Sequence, residues 1–257
     1  MVKGLYTAYT GMLNQQNKVD VIANNLANAA TTGFKKEGST SEAFDAVLAH
    51  KIKDQTSAAR AKYIGTMNLG VKIGENYVDY SQGAFETTDN TYDLALSGDG
   101  FFCVEFTNKA GETSTKYTRD GSFTLNVDGY LVTKDGDYVL DRNGQHIKLD
   151  PLADARIDES GTIYQNDRAV ARIGLQDFED YNYLEHYGEN YYQPVDGATP
   201  TTSNAQIFEG YLEASNVQVV KEMVELISAT RTYESNQKVI QTIDETLDTA
   251  VNQLGKV

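Results

Sequence analysis

Cysteine occurs once in these 257 residues, at position 103. That excludes an intramolecular disulfide framework and says little about compartment. Histidine occurs only at 50, 146 and 186, too far apart for a metal-ligand cluster, so no metal or other cofactor is expected. Basic residues are scarce: 22 Lys and Arg stand against 37 Asp and Glu, a net charge of −15. The deficit argues against sequence-independent nucleic-acid binding, which needs surplus cations to neutralise phosphates, and against docking on anionic lipid. No apolar run approaches the roughly 18–20 residues of a membrane span, so no membrane insertion is expected. A cleavable signal is not expected either. Lys3 precedes a mildly apolar stretch, but Asn14 to Asp20 interrupts it and Ala27-Asn28-Ala29 lies too far on.

Proline is confined to positions 151, 194 and 200, and 18 of the 21 glycines lie from Gly33 to Gly210. Between Tyr211 and Leu254 there is neither, and before Gly33 only Gly4 and Gly11. A turn-rich middle therefore sits between two breaker-poor ends. With 40% apolar residues, a real core is feasible and wholesale disorder is not expected.

Both ends carry helical periods. Leu5, Met12, Val19 and Leu26 recur every seventh residue, joined by Tyr9, Ile22 and Ala23. At the other end Val219, Leu226, Tyr233, Ile240, Leu247 and Leu254 share one seven-residue register, with Met223, Ala229, Ile243 and Ala250 filling a second stripe. Ser215-Asn216-Val217-Gln218 has the form of a capping box, which predicts a helix start there. A seam this long needs the N-terminal helix, neighbouring chains, or both; an amphipathic helix covering the middle domain is the simpler alternative. Thr230, Gln237 and Asp244 interrupt the seam and suit a helix with several partners.

From Tyr77 to Leu212 the pattern changes to short alternating runs separated by turns, which predicts an antiparallel sandwich or barrel. Strand candidates include 92–96, 101–106, 123–125, 130–132, 138–140 and 146–149, with turns at Asp128-Gly129, Asp135-Gly136 and Asn143-Gly144. The fold class expected is thus α+β: terminal helices pairing as a coiled-coil-like layer, with a central antiparallel β domain. The divisions expected are 1–34 with 213–257 for the helical part, 35–76 for an extended connector, and 77–212 for the β domain. Within the connector, Ser39-Thr40-Ser41-Glu42 could cap a short helix through Phe44, Val47 and Leu48.

No catalytic constellation emerges. Gly-x-Ser-x-Gly and Gly-Lys-Ser/Thr are absent, and Gly98-Asp99-Gly100 lacks the third glycine of a dinucleotide loop. Asp135-Gly136-Asp137 and Asp141 to Gly144 resemble fragments of a calcium loop but read as solvated hairpin turns. Carboxylates and aromatics alternate from Asp177 to Tyr187. A glycosidase pair is conceivable there, although a tyrosine-rich contact patch is the more natural reading.

Four ordered segments carry a family likeness. These are Ala23-Asn24-Asn25-Leu26-Ala27-Asn28-Ala29-Ala30-Thr31-Thr32-Gly33-Phe34-Lys35; Gly98-Asp99-Gly100-Phe101-Phe102; Tyr117-Thr118-Arg119-Asp120-Gly121-Ser122-Phe123 with Asp128 to Val132 following; and Glu209-Gly210-Tyr211-Leu212-Glu213-Ala214-Ser215-Asn216-Val217. The chain resembles the flagellar basal-body rod and hook proteins. The resemblance implies a structural protein without enzyme activity, exported through the flagellar type III apparatus without a cleaved signal. It further implies a homopolymer, a hollow helical shaft that carries motor torque to the hook and passes later subunits through its bore. Other rod subunits and hook protein would be its neighbours. The Gly-Phe-Lys and Ser-Asn-Val motifs favour the distal rod type or its close proximal relative. Residues 45–75 depart from the distal pattern, notably at Ala61-Lys62-Tyr63-Ile64-Gly65 and Asn68-Leu69-Gly70. Leu5, Tyr9, Met12, Val19, Ile22 and Leu26, with the C-terminal seam, are then expected at subunit interfaces. The motif residues singled out are Asn24, Asn25, Asn28, Gly33, Phe34, Gly98, Gly100, Phe101, Gly121, Gly210, Ser215 and Asn216. The three asparagine amides could bond neighbouring helices, or cap a fraying helix end. The competing readings are a peptidoglycan hydrolase beside the rod, using Asp177, Glu179 and Asp180, and a plain binding module.

Overall fold

A computed structural model describes residues 2–51, 62–109, 111–188 and 190–252. The chain divides into two compact units: Met1–Ala27, Glu37–Asp79 and Gln218–Val257 form one, and Asn28–Lys36 with Tyr80–Val217 form the other. The architecture is α+β, with N- and C-terminal helices and a central antiparallel β domain.

In the first unit, helix α1 spans Val2–Ala27 and helix α2 spans Val219–Asn252, about 39 and 51 Å long at 1.5 Å per residue. They run antiparallel. Gly4 lies against Ile243 and Gly11 against Asn236, so each seven residues forward on α1 match seven back on α2. The face of α2 turned to α1 holds buried Glu222 and Ala229 and half-buried Leu226, Tyr233, Asn236, Ile240, Ile243, Leu247 and Ala250. Those positions alternate by four and three, the spacing of a coiled-coil seam. Thr230, Gln237 and Asp244, expected to interrupt the seam, are exposed and lie off it.

Residues 35–76, expected as an extended connector, carry two antiparallel strand pairs among the described residues. Glu37–Ala43 pairs antiparallel with Val71–Val78, and Val47–Lys51 with Lys62–Met67. The short helix expected after Ser39 does not form. Ser41 exchanges hydrogen bonds with the Asn14 amide on α1 rather than capping a turn, and serine and threonine adapt to either backbone when tertiary partners decide. Helix α2 begins at Val219, later than the Ser215 capping box predicted. Ser215 Oγ accepts from the Val217 amide, and the first helical turn closes from Glu222 N–H to Gln218 C=O.

The second unit is built on a nine-stranded sheet. Its main path runs Leu184–Tyr187, Tyr191–Pro194, Thr113–Thr118, Phe101–Thr107, Tyr138–Val139, Leu131–Thr133, Phe123–Leu125. Leu175–Phe178 also pairs with Phe101–Thr107. A three-stranded sheet (Ala155–Ile157, Thr162–Gln165, Arg168–Arg172) and the pairs Leu94–Ser97 with Gln206–Glu209 and Phe85–Thr87 with Tyr211–Glu213 complete it. Leu94, Leu96, Phe102, Val104, Leu131, Val139 and Ile163 are fully buried in one core cluster. Residues 146–149, expected as a strand, make only isolated bridges through His146 and Lys148.

Residues 28–36 and 213–217 belong to this β unit, whereas 28–34 and 213–217 were expected in the helical part and 35–36 in the connector. There Lys35 and Asn216 both bond to Ser81, and Glu213 bonds to Lys35, Gly83 and Arg119.

Candidate functional site

Two features bear on function, one in each unit. In the β unit, three of the sequence motifs converge on Glu213, at the end of strand Tyr211–Glu213 and 1% exposed. Its Oε1 accepts from Lys35 Nζ at 2.5 Å and from the Gly83 amide at 2.9 Å, and its Oε2 from Arg119 Nη1 at 3.4 Å. Its backbone carbonyl accepts from Gly33 N–H at 2.7 Å. Lys35, itself 2% exposed, also donates to the Ser81 carbonyl at 2.9 Å. Arg119 donates to the Gly98 carbonyl at 2.8 Å and lies over the Phe101 ring. Buried charges persist where each is paired and hydrogen-bonded. Here each charge has an opposite partner, and the one polar atom of the three side chains left without a hydrogen bond is Arg119 Nε.

Neighbouring bonds extend this clamp. Asn216 Oδ1 accepts from the Lys36 amide and its Nδ2 donates to Ser81. Thr32 Oγ1 donates to Asp120 Oδ1 at 2.8 Å, and Asn190 Nδ2 to the Thr32 carbonyl at 2.7 Å. Gly33 turns the chain at φ +70°, and a Cβ there would stand 2.4 Å from the Asp120 nitrogen. Phe34 is 1% exposed. Gly121 passes so close to the Leu94 carbonyl that a Cβ would overlap it, and its own carbonyl accepts from Leu94 N–H at 3.0 Å. Gly100 faces Ser203, and Gly210 donates to the Asp93 carbonyl. Of the motif residues, the structure gathers Gly33, Phe34, Gly98, Phe101 and Asn216 around the clamp. Gly100, Gly121, Gly210 and Ser215 serve the adjoining turns.

Lys35, Arg119 and Glu213 were quoted within the motifs but not singled out as a site. The available signal was that each of three signatures carries a charged residue of this set, Lys35, Arg119 or Glu213, although Asp120 and Glu209 stand beside two of them.

Asn25 and Asn28 make hydrogen bonds within the chain. Asn25, fully buried, donates from Nδ2 to the Glu37 carbonyl at 2.8 Å and accepts the Glu37 amide on Oδ1 at 2.9 Å. Asn28 Oδ1 accepts from Thr31 Oγ1, a local cap. Asn24 is exposed.

The second feature is the outer surface of the helices. Ile22 is buried, and Leu5, Met12, Val19 and Leu26 are half-buried; Tyr9 is exposed. Val219 and Met223, expected on the C-terminal seam, are exposed: Val219 continues the seam register at the first residue of α2, whereas Met223 lies off it; Leu254 lies outside the described residues. On α1, Tyr6, Tyr9 and Leu13 form one exposed stripe. On α2, Val220, Val224 and Ile227 are 77%, 63% and 53% exposed and form another. Shallow grooves run beside them, lined by Val219, Val220, Lys221 and Val224 and by Val224, Ile227, Ser228 and Arg231. The Val220–Val224–Ile227 spacing was readable in the sequence but was overshadowed by the longer seam.

The acidic aromatic stretch is engaged in local structure. Asp177 accepts from the Tyr181 hydroxyl and the Phe178 amide, Glu179 from Thr199, and Asp180 caps the turn at Tyr181–Tyr183. Burial, then the hydrogen bond to Asp177, raises the Tyr181 phenol above its ordinary range. Asp141 accepts the Asn143 and Gln145 amides, as a hairpin turn does. Among the described residues no group of three His, Cys, Asp or Glu could hold a metal ion. Burial pushes the Cys103 thiol up to about 12, far from a reactive thiolate at neutral pH. No described helix is long and apolar enough to cross a membrane.

Three family profiles match in the order of the motifs: "Flagella basal body rod protein" over residues 5–35, "Flagellar hook protein FlgE/F/G D1 domain" over 95–165, and "Flagellar basal body rod FlgEFG protein C-terminal" over 209–254. The flagellar basal-body rod protein FlgF of Caulobacter vibrioides is 37% identical over 259 residues, covering all of both chains. The rod protein FlgG of Bacillus subtilis is 36% identical over 275 residues, covering 98% of this chain and 99% of its own. The flagellar hook-basal body complex protein FlhO of Bacillus subtilis is 32% identical, again over the full length of both. Nothing in these relatives supports the hydrolase reading. With motifs, fold and full-length relatives in agreement, the chain belongs to the flagellar basal-body rod protein family.

Proposed function

We propose that this protein is a structural, non-enzymatic subunit of the bacterial flagellar rod that polymerises through its terminal helices into a hollow helical shaft. The shaft carries torque from motor to hook and passes exported subunits through its bore. The observation that carries this reading is the pair of exposed apolar stripes on the terminal helices. Two different apolar faces on one unit favour a heterologous contact between copies, and such a contact extends into an open helical polymer rather than closing as a dimer. Tyr6, Tyr9, Leu13, Val219, Val220, Met223, Val224 and Ile227 are the proposed intersubunit contacts. The half-buried positions Leu5, Met12, Val19, Leu26, Leu226, Tyr233, Ile240, Ile243 and Leu247 are available to neighbours along their outer edges. Other rod subunits, hook protein and the type III export apparatus are the proposed partners, and passage beyond the cytoplasmic membrane without a cleaved signal is the proposed route. A distal position rests on the Gly33-Phe34-Lys35 and Ser215-Asn216-Val217 motifs alone.

The test is assembly of the full chain, followed by sedimentation and electron microscopy. A Val220→Ser/Val224→Ser/Ile227→Ser variant should keep the wild-type melt and raise the critical concentration at least about tenfold, ~1.4 kcal/mol per added subunit. A wild-type chain that stays monomeric at high concentration, with slowly exchanging terminal amides, would refute the reading.

A further inference from the structure

Lys35 and Glu213 are 178 residues apart, yet they meet in a site from which both are almost wholly excluded from water. Lys35 follows the last residue of α1 by eight positions, and Glu213 precedes the first residue of α2 by six. One carboxylate thus holds, inside the β unit, the chain that has left α1 and the chain about to enter α2. The two dockings depend on each other. Without Glu213 in place, seating residues 33–36 would bury the Lys35 ammonium against a guanidinium with the shared carboxylate missing. Without residues 33–36, Glu213 loses its closest cation and its backbone carbonyl loses the Gly33 amide. Apolar side chains of similar volume stabilise such a site as well as an ion pair does, or better. Three charges at this point therefore suit a device that sets position more than one that adds stability.

We propose that Lys35, Arg119 and Glu213 are positioning residues for assembly. The clamp holds, within the β unit, the segments that follow α1 and precede α2, and a subunit with an open clamp folds its sheet but does not join the shaft. The inference rests on the polymerisation reading above.

The experiment compares full-length wild type with Glu213→Gln and Lys35→Met, by amide hydrogen exchange and by shaft formation. Glu213→Gln removes the charge that both cations share. Exchange of the Gly33, Lys36 and Gly83 amides should speed up on the order of a hundredfold. Cys103 and Leu131, whose amides bond across the sheet region, should keep their protection, and shafts should not form. Lys35→Met leaves Arg119 paired with Glu213, so its loss of protection should be clearly smaller. Unchanged exchange at Gly33, Lys36 and Gly83 in Glu213→Gln overturns the proposal. So does a loss that includes Cys103 and Leu131, which would mark general unfolding. Equal effects of the two near-isosteric variants would mark simple packing and overturn it too. Shafts built by Glu213→Gln with its clamp amides exposed reject the assembly role while leaving the polymer reading intact. A wild type that forms no shaft removes both.

Discussion

Replacing Gly33 by alanine probes how tightly the N-terminal segment is seated in the β unit. At φ +70° an alanine costs about 1 kcal/mol in backbone strain alone. Its Cβ would also stand 2.4 Å from Asp120 N and 2.5 Å from Arg119 C. Those are backbone atoms, so no rotamer change relieves the overlap. The segment would have to withdraw by about 1 Å to reach ordinary contact. Withdrawal strains three hydrogen bonds: Gly33 N–H to Glu213 at 2.7 Å, Thr32 to Asp120 at 2.8 Å, and Asn190 to Thr32 at 2.7 Å. At about 1 kcal/mol each, the total loss is roughly 3–4 kcal/mol. Gly144→Ala is the control. Its φ is +76°, but no atom lies within 4 Å of the added Cβ, so strain of about 1 kcal/mol is the whole cost. Urea unfolding followed by near-ultraviolet tyrosine circular dichroism should separate the two variants by about 2–3 kcal/mol. Losses within about 0.5 kcal/mol of each other would refute the steric reasoning.

Two further outcomes follow from other parts of the molecule. Asn25→Ala leaves both Glu37 backbone groups without their side-chain partner, so the helical unit should lose about 2–3 kcal/mol. The Glu37 amide should exchange faster while Gly83 does not; an unchanged Glu37 rate would contradict the assignment. Tyr181 and Tyr191 have phenols raised above the ordinary value of 10.0, chiefly by burial. The folded state therefore holds these two protons more tightly than the unfolded chain. That contribution is fully present below about pH 10 and is lost as pH climbs towards the folded values. Phenolate absorbance should show at least these two tyrosines ionising only as the β unit unfolds; burial raises Tyr92 and Tyr117 as well. A single transition of all 17 near the ordinary value, with the fold intact, would count against this.

The helical seam was legible because helix periodicity is local: Leu226, Tyr233, Ile240 and Leu247 repeat every seventh residue whatever surrounds them. The β turns were legible for a similar reason. Asp128-Gly129, Asp135-Gly136 and Asn143-Gly144 need a glycine at positive φ, and each has one. Strand Glu37–Ala43 was not legible. It is polar, and its pairing with Val71–Val78 comes from across a long insertion. Nor was the exposure of Val219 and Met223, since a helical period does not say how far along α2, or over which of its apolar stripes, the partner helix gives cover.

The sequence by itself determined two breaker-free helical ends, a turn-rich antiparallel middle and the family motifs, because each is written within a short window of chain. Only the tertiary structure decided which stripe of α2 faces α1 and which stays exposed. It alone revealed that Lys35, Arg119 and Glu213 share one buried site. A charged residue read alone is presumed solvated. Its burial becomes favourable only when partners from distant segments arrive together, and no local pattern records that meeting.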